Sequence, residues 1–287
     1  NGEECDDGAT PDPAVCTADC TSPGLPPTGP PNVYAWTDNG VASVNRVNLT
    51  TGQTTMIAGG QEWPSGIARD PVNNTVYWSL YTKKSIARRA LPDGPILSFT
   101  TPGEMPAALA FDPGGPKLYW TETVGSALRR SNPDGSGIET LVTGLSFSVG
   151  LDLDLSAGKI YWSDESNNII RRANLDGSGV ENVVTSGLNM PRGIAVAQGR
   201  VYWVDRGTQT VRHQNVNGGS VSELASGFIF VQDVDVDPNA QLAYVAEDGI
   251  GSPGAIYTVS LQTGQKNVLV SGLGNPKQGL LWYDATP

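Results

Sequence analysis

Short apolar stretches alternate with polar turns along most of the chain, and none has the spacing of an amphipathic helix. In the representative stretch 159–180, the aromatic run Ile160–Trp162 precedes a polar loop, a second apolar start at Ile169 and the turn Asp176-Gly177. Apolar and aromatic runs bounded by Asp, Asn, Ser and Gly are typical of β-strands. Gly and Asp also tolerate the positive φ that a tight hairpin requires. The stretch therefore predicts three strands joined by hairpins.

The aromatic run of this stretch recurs at a nearly fixed interval. Val76-Tyr77-Trp78, Leu118-Tyr119-Trp120 and Val201-Tyr202-Trp203 repeat it directly, and weaker copies lie on either side of these repeats. The positions that we take as equivalent, at intervals of 42, 42, 42, 41 and 41 residues, are Trp36, Trp78, Trp120, Trp162, Trp203 and Tyr244. A period near forty residues, with several strands per unit and no helix, is typical of the blades of a β-propeller.

The two ends of the repeat region are complementary. Each full repeat opens with a segment in which small and large residues alternate, as in Gly66–Pro71, which is the pattern of a strand crowded near a central axis. The first aromatic strand, Val33–Trp36, lacks this opener, whereas Gly279–Asp284 has it with nothing after it. The sequence therefore predicts an all-β fold, a six-bladed β-propeller over residues 33–287. Its blades are four-stranded and antiparallel, and the C-terminal strand completes the N-terminal blade and closes the ring.

The first 32 residues have a different composition. Residues 1–21 form a cysteine-rich fragment with Cys5, Cys16 and Cys20, and residues 22–32 a Pro-rich linker. Three cysteines and a single distant histidine, His213, do not make a tetrahedral zinc site. One disulfide and one unpaired thiol are expected, with the pairing open, and they indicate a compartment outside the cytoplasm.

Charge and hydropathy exclude several classes of partner. The formal net charge of −11 argues against nucleic acid and against an anionic membrane surface. No run of eighteen apolar residues is present, so we expect no membrane span. The sequence begins within a motif and shows no signal peptide, so we expect a processed or trimmed polypeptide, monomeric as an isolated propeller.

Two motifs carry a resemblance to known families. Ala35-Trp36-Thr37-Asp38, Tyr161-Trp162-Ser163-Asp164 and the segment Ile170–Gly177 resemble the YWTD repeats of the LDL-receptor class B family. The segment Gly2–Cys20 resembles the cysteine-rich repeat of myxobacterial surface proteins. The first resemblance implies a six-bladed propeller that serves as an extracellular recognition platform, usually without catalysis. Together they imply a secreted or cell-surface bacterial protein.

The acid of the YWTD motif is present in only part of the repeats. It is Asp at Asp38, Asp164 and Asp205, whereas the positions taken as equivalent elsewhere are Leu80, Glu122 and Ala246. If this Asp holds neighbouring blades together, the three blades without it need another stabilising interaction.

Large apolar residues occur at nearly the same phase in the loops that lead into the inner strands. They are Trp63, Met105, Phe147, Met190 and Phe230, with Asn275 in the sixth copy. We expect them to ring one mouth of the central channel, with Tyr81, Arg192 and Gln232 beside them. Exposed apolar clusters usually mark a recognition surface. The alternative is that these side chains pack on each other and plug the axis.

Three acids break the symmetry of the inner strands. Asp152 and Asp235 occupy a position that is Ala68, Ala110, Ala195 or Leu281 elsewhere, and Asp233 shares a face with Asp235. Carboxylates that converge on the axis could hold Ca²⁺, the one cofactor that the pattern suggests. The favoured alternative is that they bind channel water or neighbouring backbone.

Two functions of different classes follow. The first is a recognition module that binds a protein, peptide or glycan on the loop face around the channel. The second is a calcium-dependent hydrolase, such as a lactonase, with its site in the axial channel. No Gly-x-Ser-x-Gly elbow, phosphate-binding Gly loop or cysteine nucleophile occurs in the repeat region, and His213 stands where sibling repeats carry Arg. The first function is favoured.

Overall fold

The computed structural model describes residues 30–103, 105–249 and 251–284, and all regular elements in these ranges are strands. They form six four-stranded antiparallel sheets. The inner strand of each sheet contacts those of the two neighbouring sheets, all the way around the axis, so the ring is closed. The predicted six-bladed propeller is confirmed.

Each blade is given from its inner to its outer strand. Blade 1 is β24 (Pro276–Trp282), β1 (Val33–Asp38), β2 (Ser43–Asn48) and β3 (Thr54–Ala58). Blade 2 is β4 (Pro64–Asp70), β5 (Thr75–Leu80), β6 (Ser85–Ala90) and β7 (Leu97–Thr100). Blade 3 is β8 (Pro106–Asp112), β9 (Lys117–Glu122), β10 (Ala127–Ser131) and β11 (Glu139–Thr143).

The second half of the ring has the same order. Blade 4 is β12 (Leu151–Asp154), β13 (Lys159–Asp164), β14 (Ile169–Asn174) and β15 (Glu181–Val184). Blade 5 is β16 (Pro191–Ala197), β17 (Arg200–Asp205), β18 (Thr210–Asn215) and β19 (Ser222–Ala225). Blade 6 is β20 (Val231–Asp237), β21 (Leu242–Glu247), β22 (Gly254–Ser260) and β23 (Lys266–Leu273). The end of the ring at which the inner strands begin is called the upper face, and the other end the lower face.

The core consists of six clusters, one between each pair of neighbouring blades. The aromatic motif explains this arrangement, because adjacent residues of a strand point to opposite faces of its sheet. Trp120 of blade 3 packs with Tyr77 of blade 2 in one cluster, and Trp203 of blade 5 packs with Tyr161 of blade 4 in another. The Trp thus contacts the preceding blade and the Tyr the following one.

The Ser or Thr that follows the motif Trp also couples blades. The hydroxyl of Ser79 accepts the N–H of Gly66 in its own inner strand and donates to the carbonyl of Ala107 in the next blade, both at 2.7 Å. Thr37 donates in the same way to the carbonyl of Ser65. A Cβ on Gly66 would stand 2.1 Å from the Ala107 oxygen, so this close approach requires glycine.

The C-terminal strand closes the ring as predicted. β24 pairs antiparallel with β1, with Val33 opposite Trp282 and Trp36 opposite Gly279. Asp38 fastens the segment before β24, because its carboxylate accepts the N–H groups of Gly274 and Asn275 at 3.0 and 2.8 Å.

The strand registers correct three equivalences. Tyr244 lies opposite Asp235 as Tyr202 lies opposite Ala195, so Tyr244 corresponds to Tyr202 rather than to Trp203. The assignment from the 41-residue spacing was one residue out, because Val245 replaces the Trp of the motif. The motif acid of blade 6 is therefore Glu247, not Ala246. Leu280, not Leu281, shares the position of Asp152 and Asp235.

The predicted cysteine-rich fragment, with its disulfide, and most of the linker lie outside the described residues. Within the ranges that the structure describes, no helix has the length and apolar character needed to cross a membrane.

Candidate functional site

The five apolar residues predicted to mark the upper face share one unusual backbone conformation. Their φ angles are 50° for Trp63, 57° for Met105, 55° for Phe147, 58° for Met190 and 55° for Phe230. Each lies just before its inner strand or, for Phe147, shortly before it. The left-handed region is normally used by Gly, Asn or Asp, and a bulky residue there is strained.

Much of this apolar surface is open to solvent. Trp63 is 56% exposed, Met190 38% and Phe147 37%, while Met105 and Phe230 are half-buried. The Arg206 guanidinium lies 5.1 Å from the centre of the Phe230 ring. Tyr81 lies on the same face and accepts a 2.8 Å hydrogen bond from the hydroxyl of Thr123 in the next blade.

The motif acids hold the loops that carry three of these residues. Asp164 accepts the N–H of Ser146 at 2.5 Å, Asp205 that of Asn189 at 2.9 Å and Glu247 that of Ile229 at 2.6 Å. Each of these N–H groups belongs to the residue immediately before Phe147, Met190 or Phe230. A charge-assisted hydrogen bond to the backbone at this point fixes the loop.

Three motif positions do not hold Asp: blade 6 has Glu247, described above, and blades 2 and 3 use other groups. In blade 2, where Leu80 replaces the acid, Gln61 accepts the indole N–H of Trp78 at 2.9 Å and donates to the carbonyl of Gly59. In blade 3, Glu122 accepts the indole N–H of Trp120 at 3.2 Å and pairs with Arg129 at 2.9 Å. Hydrogen bonds to groups other than an Asp carboxylate thus occur in blades 2, 3 and 6.

A network of polar side chains occupies the centre of the upper face. Arg192 donates to Glu165 at 2.9 Å and to the amide oxygen of Gln232 at 2.6 Å. Lys277 lies 3.4 Å from the Asp248 carboxylate, which also faces Gln232 at 3.5 Å. Burial lowers the pKa of both Arg192 and Lys277.

This network surrounds the upper mouth of the channel. A cavity of about 50 Å³ is lined by Arg192, Gln232 and Lys277 on one side and by Ser65, Gly66 and Ala108 on the other. None of the five left-handed apolar residues lines this cavity.

The axis is instead interrupted by Gln278, a residue that was not predicted from the repeat pattern. Its side chain crosses from blade 1, accepting the N–H groups of Ile67 and Leu109 at 3.0 and 3.2 Å and donating to the carbonyl of Leu109 at 3.3 Å. Gln278 occupies the register position of Gly66. The available signal was a long polar residue where most sibling repeats have Gly or Ala.

The three predicted axial carboxylates bind the backbone of neighbouring inner strands. Asp152 accepts the N–H of Val196 at 2.6 Å, Asp235 that of Leu281 at 2.7 Å and Asp233 that of Gly279 at 2.8 Å. Burial raises the pKa of Asp152 to about 7 and that of Asp235 to about 6, and raises the pKa of Asp233 well above its usual range.

Backbone binding is the alternative favoured for these acids over a metal. The described residues contain no group of three His, Cys, Asp or Glu side chains placed to hold a metal ion. Ca²⁺ takes six to eight oxygen ligands. Calcium binding by Asp152, Asp233 and Asp235 stays a prediction without a ligand cluster to support it.

Comparison with known proteins places this geometry in a family context. Residues 158–196 match the family model described as low-density lipoprotein receptor repeat class B. A chain in the crystal structure of a nidogen/laminin complex is similar over 86% of this chain and 97% of that one, with a TM-score of 0.77 and 19% identity. Comparison with curated proteins found no match.

Two lyase structures share the fold more distantly. Virginiamycin B lyase from Staphylococcus aureus has a TM-score of 0.58 and 16% identity, over 71% of this chain and 69% of that one. A streptogramin B lyase structure has a TM-score of 0.60 and 16% identity, over 73% and 70%. At this identity the likeness shows the fold alone. The chain is a six-bladed β-propeller with YWTD-like motifs, and residues 158–196 match the model of the low-density lipoprotein receptor class B repeat.

Proposed function

We propose that this propeller is a protein-binding module, secreted or displayed at a cell surface, whose partner docks on the upper face. The supporting observation is the set of five large apolar side chains in left-handed backbone. Within the part of the chain that the structure describes, eight further non-glycine residues have positive φ, and none is both large and apolar: Ala42, Asn74, Lys84, Ser126, Asn168, Gln198, Gln209 and Gln241.

Neither local conformation nor solvation accounts for the choice of residue at the five positions. Gly or Asn would relieve the backbone strain, and a polar side chain would be better solvated. Strained residues cluster at functional sites, where the surrounding structure holds them in place. The motif acids supply that support at Phe147, Met190 and Phe230. A partner that covers Trp63, Phe147 and Met190 would remove their apolar surface from water.

The centre of the face adds polar specificity. Arg192 and Lys277 are held by Glu165 and Asp248, so their N–H groups are ordered before any partner arrives. An apolar periphery around fixed donors suits a protein that presents apolar side chains and a hydrogen-bond acceptor together. The similar chain from the nidogen/laminin structure belongs to a complex between proteins, which supports a protein partner over a glycan.

The alternative, a calcium-dependent hydrolase, has no observation in its favour beyond the fold. Six-bladed propellers support many chemistries, so fold likeness is a weak guide to activity.

The test compares the wild-type chain with a variant that carries Trp63→Ala, Phe147→Ala and Phe230→Ala. Extracellular proteins that bind the wild type are identified by mass spectrometry and their affinity is then measured by calorimetry. Loss of one interface aromatic is expected to cost about 2 kcal/mol, which corresponds to a roughly thirtyfold weaker Kd. Val72→Ala on the lower face and Val268→Ala on the outer edge remove exposed apolar residues elsewhere and are the matched controls. Equal affinity in the triple variant and the wild type would exclude the upper face.

A further inference from the structure

A second and larger cavity occupies the lower part of the axial channel. Its volume is about 260 Å³, and Gln278 and Asp233 separate it from the cavity at the upper mouth, since both residues line both spaces. Pro71, Pro113 and Leu155, each just past the end of an inner strand, form its lower rim. Leu155 is 44% exposed, so this rim opens to solvent.

The wall of this cavity is mostly apolar and its charge is mostly negative. Leu109, Leu151 and Ile194 are among the aliphatic residues that line it. Asp152, Asp233 and Asp235 also line it, and the pKa values of Asp152 and Asp233 are raised first by burial and further by the neighbouring carboxylates. The three acids therefore lie close enough to repel one another when ionised.

Arg69, the cationic residue on the lining, binds groups other than the axial acids. Arg69 donates to the carbonyl of Tyr283 at 3.0 Å and to the side chain of Asn74 at 2.8 Å, and its guanidinium lies 5.1 Å from the centre of the Trp282 ring. Burial lowers the pKa of Arg69, and the acids that act against this are Asp284 and Asp70, not the axial acids. The axial carboxylates consequently have no cationic partner among the described lining residues.

The carboxylates keep acceptor capacity toward the cavity. Each oxygen of Asp152 accepts one backbone N–H, from Leu153 at 2.8 Å and Val196 at 2.6 Å, whereas a carboxylate offers about four lone-pair sites. Asp235 is engaged in the same way by Val236 and Leu281, both at 2.7 Å. Two such sites on each carboxylate remain for a ligand.

A buried hydroxyl without a partner lies beside the same acids. The Tyr34 side chain is fully buried, and its hydroxyl has no hydrogen-bond partner among the described residues. The oxygen lies against Gly279, which lines the cavity, and Asp233 and Asp235 raise its pKa after burial itself. This hydroxyl adds a further polar atom next to the acids at the cavity wall.

We infer that the lower cavity binds a small organic cation, an apolar body that carries a primary ammonium group. The ammonium enters between Asp152 and Asp235, where it neutralises their mutual repulsion and donates its three N–H groups to carboxylate oxygens. The apolar body contacts the aliphatic wall below. A cavity of about 150 Å³ suffices for benzene, so 260 Å³ accommodates an aromatic ring with a short amine chain.

The experiment is calorimetric titration of the whole chain at pH 7.5 with 2-phenylethylamine and with 2-phenylethanol, its neutral analogue. The amine is expected to bind at least tenfold more tightly than the alcohol. Asp152→Asn and Asp235→Asn each keep an oxygen acceptor for one of the two backbone N–H groups and should weaken amine binding at least tenfold. Leu155→Trp fills the rim at an exposed position and should abolish binding. Val180→Trp, at an exposed outer hairpin of the lower face, should leave it unchanged.

Each contrary result overturns the inference. No heat with the amine at 10 mM, or equal affinity for the alcohol, excludes a cation site. Binding that persists in Leu155→Trp places the amine on the acidic outer surface instead of in the cavity. The Trp63, Phe147 and Phe230 variant tests the upper face alone, so amine binding and partner binding succeed or fail separately.

Discussion

The hydroxyl of Tyr34 fills the space that a side chain at position 279 would take. A Cβ built on Gly279 would stand 1.7 Å from the Tyr34 oxygen and 2.2 Å from the adjacent ring carbon. In blade 2 the same two register positions hold Val76 and Ile67. Blade 2 therefore has two medium-sized side chains at these positions, whereas blade 1 has one large side chain and a glycine. The two residues of blade 1 lie where the ring closes.

The first prediction concerns this pair. Gly279→Ala should destabilise the fold by about 1–3 kcal/mol, because overpacking a core forces neighbours to move. Tyr34→Val alone should cost about 2–4 kcal/mol through the cavity it leaves. The double variant Tyr34→Val with Gly279→Ile restores the packing of blade 2 and should recover much of the loss. Urea denaturation measures all three. Additive losses in the double variant would show that the two positions are not coupled.

Gln278 supports a second prediction. Gln278→Ala removes the side chain that binds Ile67 and Leu109 and leaves their buried N–H groups without this acceptor. Unsatisfied buried donors cost about 1–3 kcal/mol each, so a loss of about 2–4 kcal/mol in the free energy of unfolding is expected. Gln262→Ala, in an exposed outer hairpin, is the matched control and should change stability by less than about 0.5 kcal/mol. Equal stability of the two variants would contradict the axial role of Gln278.

The third prediction is a fall in stability with rising pH. Asp152 and Asp235 have pKa values of about 7 and about 6 in the fold, above the ordinary 3.8, so the folded chain retains protons that the unfolded chain has released. Their contribution is fully present below pH 4 and is lost as the pH rises toward 7. For Asp152 the shift of about three units corresponds to about 4 kcal/mol at most.

Asp152→Asn should reduce this slope, and the remainder should come from Asp233 and Asp235. Thermal midpoints of the wild type and the variant between pH 4 and pH 8 measure the effect, and the two curves should converge at the acid end after correction for a constant offset. Parallel curves across the whole range would mean that Asp152 titrates as in the unfolded chain.

The fourth prediction tests the register of blade 6. Glu247→Ala removes the acceptor of the Ile229 N–H and of the Tyr257 hydroxyl, and should cost about 2–3 kcal/mol. Hydrogen exchange at Ile229 and Phe230 should quicken. Glu223→Ala, an exposed acid in β19, should have little effect on either measurement. Slow exchange at Phe230 in Glu247→Ala would show that this loop is held by other groups.

The repeat period was sufficient to predict the architecture. The alternating pattern locates the strands, and the first repeat lacks the opening strand that the C-terminal segment supplies, which predicts how the ring closes. The assignment failed where the motif itself decays. Val245 replaces the Trp of blade 6, so the aromatic Tyr244 was aligned one residue away from its true equivalent, and Glu247 was missed as the motif acid.

The details of the candidate site depend on contacts between distant parts of the chain. The phase of Trp63, Phe147 and Phe230 in the repeat predicted a shared face, but their left-handed backbone is a property of the folded loop. The partners of Asp152 and Asp235 are backbone groups 44 and 46 positions away. A backbone N–H has no signature in sequence, so the choice between water, metal and backbone required the structure.

Gln278 also joins the earliest and the latest parts of the ring. It lies 211 positions from Ile67 and 169 positions from Leu109, and it binds both at once. During synthesis, blades 2 and 3 emerge long before the residue that links them across the axis. The hydrogen bonds that link these two blades to Gln278 cannot form until the last strand docks. We therefore expect the propeller to mature in one late step rather than blade by blade.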